Sequence, residues 1–144
     1  MSTSYSAGVI LGVKLDDLGV KIEKISVPYE VHDKKGKPTG KIEYEKSTKI
    51  TFQGKESVEE KLYSDVLEEL IDVKKPLGFL DMSYDKFDFD KVVVGLNIVD
   101  RSYDDWNILT EISIDGKLEL VKSELMKQFG VDVEPKLYFY FQVS

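Results

Sequence analysis

The segment Lys91 to Val99 limits the possible folds more than any other part of the sequence. Val92, Val93, Val94, Leu96, Ile98 and Val99 place apolar side chains on both faces of any strand built from it. Such a strand needs cover on both sides, so it belongs in the interior of a sheet. The flanking sequence must therefore supply neighbouring strands and covering helices.

Tyr5, Ala7, Val9, Leu11, Val13 and Leu15 alternate with mostly small or polar residues and predict a first strand, with Gly8 and Gly12 on its other side marking close backbone approach or a bulge. Val20 and Ile22 are followed by Ile25, Val27, Tyr29 and Val31 on the opposite phase, which predicts a β-bulge near Glu23 and Lys24. Pro28 cannot donate to a ladder and is expected on an edge strand or at a bulge. Asp33 to Gly40 is dense in turn formers and predicts an exposed hairpin loop. The returning strand carries Ile42, Tyr44, Ile50 and Phe52 on one phase and an unbroken polar phase on the other, so one face of the hairpin is expected in water.

Ser57-Val58-Glu59-Glu60 has the form of a capping box, and apolar residues from Val58 through Leu62, Val66, Leu67 and Leu70 to Val73 predict an amphipathic helix over 58–73. A second helix is expected over 114–129, where Ile114, Leu118, Val121, Leu125 and Phe129 recur at helical spacing and Gly130 supplies a left-handed cap. Leu137, Phe139, Phe141 and Val143 then alternate with Tyr138 and Tyr140 in a closing strand. The expected fold is a single α+β domain over 1–144: a mainly antiparallel five-stranded sheet with two amphipathic helices on one face. A parallel crossover through the last strand, helix and strand is the alternative.

The chemistry open to this chain is narrow. There is no cysteine, which excludes disulfides, thiolate catalysis and Cys-based metal sites. The single histidine, His32, falls on the solvated phase of a strand, too little for a triad or an imidazole metal site. Gly8 to Gly12 lacks the Lys and Ser/Thr of a phosphate loop and the third glycine of a dinucleotide fingerprint. No catalytic residue, metal site or cofactor is expected. A net charge of -7, with Arg101 the only arginine, disfavours nucleic acid and anionic membrane surfaces alike. No apolar run approaches the roughly 20 residues needed to cross a bilayer. No basic residue precedes Val9-Ile10-Leu11, so no secretory leader is expected and the compartment expected is cytoplasmic.

What stands out is the composition around the central strand, where residues 81–105 carry seven acids against three bases. Aspartates are interleaved there with aromatics: Asp81, Tyr84, Asp85 and Asp88 before the strand, then Tyr103, Asp104, Asp105 and Trp106 after it. Aromatic anchors ringed by carboxylates suit an interface that docks on a basic surface. The competing reading makes the aromatics core and the aspartates turn caps. By elimination the expected function is an acidic, non-enzymatic protein that occludes a basic macromolecular partner, as inhibitors, immunity proteins and anti-defence proteins do. Its rivals are a small-molecule binder with a pocket between sheet and helices and an assembly component; a dimer through the hairpin's edge strand would suit the latter.

Overall fold

The computed structural model describes residues 5–102 and 114–143. These form an α+β structure dominated by antiparallel strands, and the chain divides into two compact units, one of residues 1–19 with 71–144 and one of residues 20–70. Each unit holds its own sheet: four strands in the first and three in the second, in place of the single five-stranded sheet expected.

The first unit is built on β1 (Tyr5–Lys14), β5 (Gly78–Asp81), β6 (Val92–Ser102) and β7 (Lys136–Val143), in the order β5-β6-β1-β7. The doubly apolar segment is β6, as expected an interior strand, with Val92, Val93 and Val94 all fully buried. Every ladder is antiparallel. Because β6 and β7 both pair with β1, they run parallel to each other with β1 between them, a split form of the crossover considered above. The connecting helix α3 (Lys117–Phe129) packs on β1 and β6 and buries Val121, Leu125 and Phe129. It ends as its sequence predicts. Gly130 takes a left-handed conformation, and its N–H and that of Val131 bond back to the Met126 and Leu125 carbonyls. A four-residue helix, α1 (Leu15–Leu18), follows β1 directly.

Where β1 meets β6, Gly12 stands opposite Gly95, and Gly95 stands opposite Gly78 on β5. A Cβ on Gly12 would collide with the Val94 carbonyl, and one on Gly95 with the Leu11 carbonyl. The close approach anticipated from Gly12 therefore comes from the backbone of its neighbour strand.

The second unit contains β2 (Lys21–His32), β3 (Pro38–Phe52) and β4 (Lys55–Glu59), paired in that order. Pro28 does lie on an edge strand. The bulge predicted near Glu23 is absent: β2 and β3 stay in register from Lys21 to Glu30, and the irregularity falls between Glu30 and His32. Ile22 therefore lies on one face of the ribbon and Ile25, Val27 and Tyr29 on the other. The expected helix over 58–73 is also corrected. Gln53 and Gly54 take positive φ in a two-residue turn that folds Lys55–Glu59 back along β3. Ser57 caps no helix; its hydroxyl donates to Glu59 Oε1 at 3.0 Å. The helix, α2, runs only from Ser64 to Ile71 and buries Leu67 and Ile71, while Leu70 is half-buried.

Candidate binding loop

Four of the eight predicted site residues fall within the described residues, on the segment that joins β5 to β6. Asp81 ends β5, and its Oδ1 accepts the Ser83 N–H at 2.9 Å. The Ser83 hydroxyl then closes the loop by accepting the Asp88 N–H at 2.8 Å and donating to the Asp88 carbonyl at 3.2 Å. Asp88 itself caps a short 3₁₀ turn over Phe89–Lys91, its Oδ1 taking the Asp90 N–H at 3.0 Å. Below this staple the Met82 N–H bonds the Lys91 carbonyl, tying both ends of the segment together. Aspartate is suited to the turn bonds because its short side chain reaches a backbone amide two residues on, and the serine hydroxyl, both donor and acceptor, can hold the N–H and C=O of one residue across the loop.

The two competing readings thus divide by residue. Asp81 and Asp88 spend carboxylate oxygens on turns, whereas Tyr84 and Asp85 lie on the protruding part of the stapled loop, exposed together with Lys86. Tyr84 is 91% exposed, the most exposed of the large hydrophobic side chains described. Phe79, Met82, Phe87 and Phe89 are partly buried, and Met82 packs with Leu80 and Tyr138 against the cluster of Ile10, Val93 and Tyr140. Tyr103, Asp104, Asp105 and Trp106 lie outside the described residues. Among those described, no three carboxylates or imidazoles converge on one point.

Two exposed apolar features were not anticipated as such. Ile42 and Tyr44 share the phase of buried Ile50 and Phe52, yet they are 62% and 69% exposed. A strand of 15 residues runs well past the five that pair with β4, and the alternation continues into the part left in water. On β7 the same applies to Phe139 and Phe141, whose side of an edge strand is exposed while Tyr140 on the other is buried. An open furrow of about 690 Å³ lies beside Gly78 and Gly95, but it is lined by strand residues and Lys75–Leu77, with no helix residue among those described. Comparison with protein-family models, curated proteins and solved structures finds no match for this chain.

Proposed function

We propose that the chain is an acidic, non-enzymatic binding protein that docks on and occludes a basic macromolecular partner, in the manner of an inhibitor, immunity or anti-defence protein. The observation that carries this reading is Tyr84, almost wholly exposed on a loop that Ser83 and Asp88 hold closed. A free aromatic side chain on a braced loop loses little further conformational freedom on binding, which is the economy that makes tyrosine a common anchor. Asp85 beside it, within a chain of net charge -7, supplies the long-range attraction that raises the encounter rate with a cationic surface. Inhibition would follow from occlusion alone, without chemistry at the contact.

The test is capture from the native host with the wild-type chain and with Tyr84→Ala in parallel, followed by binding kinetics on what is retained. A basic protein held by the wild type should dissociate from Tyr84→Ala roughly 30-fold faster or more, as expected for a hot-spot tyrosine. Asp85→Lys should instead slow association and flatten its dependence on salt. A retained partner that treats Tyr84→Ala and Asp85→Lys as wild type rejects the loop, and a retained metabolite with no protein rejects the class.

A further inference from the structure

The β2–β3 hairpin has one protected edge and one open edge, and its sequence determines which is which. β4 reaches along β3 only as far as Thr48, opposite Glu59, whereas β3 extends back to Pro38. Two independent marks identify the backbone groups that face that side. The two-residue turn Gln53–Gly54 makes Phe52 and Lys55 a hydrogen-bonded pair, so the even-numbered residues of β3 face β4. On the other side Tyr44 stands opposite Pro28, which has no N–H to give, and this fits a pair whose backbone groups point away from each other. Beyond the end of β4, then, the N–H and C=O groups of Ile42, Tyr44 and Lys46 face outward, with no strand on them among the described residues. The opposite edge is blunted, because Pro28 leaves a gap in its outward row of donors.

We propose that a second copy of this chain pairs its own β3 antiparallel with this open edge, joining two hairpins into one four-stranded sheet. Side chains select the register. Centring the pair on Tyr44 sets Glu43 against the second copy's Glu45 twice, a like-charge contact. Centring it on Ile42 leaves only residues 41–43 to pair before Gly40, whose φ of 75° interrupts the extended strand, against 41–45 when the pair is centred on Glu43. Centring it on Glu43 opposes Ile42 to Tyr44 and Lys41 to Glu45, each twice, with a single Glu43–Glu43 contact at the axis. Ile42 and Tyr44 thereby cover each other, where each is now mostly exposed. Glu45 gains a cation next to Glu60, whose charge already holds the Glu45 carboxyl above its usual range. Each Glu43 is engaged by the Tyr29 hydroxyl, which donates to its Oε2 at 3.0 Å.

This inference rests on the hairpin alone and stands apart from the Tyr84 loop. Sedimentation equilibrium of the full chain should show reversible association to twice 16.4 kDa. Tyr44→Pro removes an outward N–H without taking a bond from the β2–β3 ladder, so it should give a monomer that melts as the wild type does at concentrations too low for association. Lys41→Glu should weaken the dimer about tenfold, and adding Glu45→Lys to it should restore the affinity. Glu43→Gln, which relieves the axial contact, should tighten it about threefold. Should Tyr44→Pro unfold the hairpin, the charge reversal and its restoration still decide the matter. A chain that stays at 16.4 kDa at about 1 mM overturns the proposal. So does a dimer indifferent to Lys41→Glu.

Discussion

The Tyr140 hydroxyl donates to Oδ1 of Asn97, 3.2 Å away, and so links β7 to β6 across the strand that separates them. Gly8, opposite Tyr140 on that intervening strand, contributes no side chain beneath the ring. Tyr140→Phe keeps the buried ring and deletes the bond, which should lower stability by about 0.5–1.5 kcal/mol in chemical denaturation. Tyr140→Ala should cost more, about 3–5 kcal/mol, because the ring leaves a cavity in the cluster with Ile10 and Val93.

Gly95→Ala and Gly12→Ala are expected to be among the most damaging small substitutions. The new methyl group would meet the backbone of the facing strand, which cannot rotate aside as a side chain can. A loss of about 3 kcal/mol or more is expected at each, read by thermal or denaturant melting. Gly78→Ala provides the control in the same row, since its Cβ would find nothing nearer than the Gly95 carbonyl at 3.9 Å.

The two main helices should respond differently along their apolar faces. Leu125→Ala and Leu67→Ala remove fully buried side chains and should each cost about 2–5 kcal/mol. Leu70→Ala, at a half-buried position, should cost about 1 kcal/mol, a contrast that denaturation of the three variants would show directly.

That contrast marks where the sequence could be read and where it could not. β1 and β7 were legible from their alternation, β6 from a run apolar on both faces, and α3 from helical spacing ended by Gly130. The Ser57 to Glu60 segment reads as a capping box, but Ser57–Glu59 is strand in the structure, with Ser57 and Glu59 half-buried on one side and Val58 exposed on the other. The deciding cue was Gln53-Gly54, a turn that commits Lys55 onward to pair with β3 before any helix can start. β5 is only four residues long, and its alternation is lost among the aspartates and aromatics that follow. Nor could alternation tell which edges would meet, so two sheets were read as one. Of the candidate site, composition located the acidic aromatic segment. Only the Ser83–Asp88 hydrogen bonds separated the turn-capping aspartates from the exposed Tyr84 and Asp85.

Acidity should stabilise the second unit through Glu45. The charge of Glu60 raises the Glu45 carboxyl above its ordinary value of 4.5, so the folded chain holds a proton there that the unfolded chain releases. Stability therefore falls as pH rises through that raised value, and the repulsion is fully present above it. Glu60→Gln removes its source. The melting temperature of Glu60→Gln relative to wild type should climb from about pH 4 toward neutrality and then level off.

Tyr84→Ala is expected to leave folding almost untouched, within about 0.5 kcal/mol of wild type, since the side chain it removes is in water. A marked fall in melting temperature would mean that the ring supports the loop, which would disqualify it as a free anchor.

The position of β1 between β6 and β7 bears on the order in which the molecule can assemble. Val9 is held between Val99, 90 residues away, and Phe139, 130 residues away, so β1 enters the four-stranded sheet only through very distant encounters. The β2–β3–β4 meander closes through neighbours. During synthesis it can form while β1, already made and among the most apolar segments of the chain, still waits for both of its partners. The interval in which that strand stands unpaired is when this protein is most exposed to aggregation, and the first place to look when a variant expresses poorly.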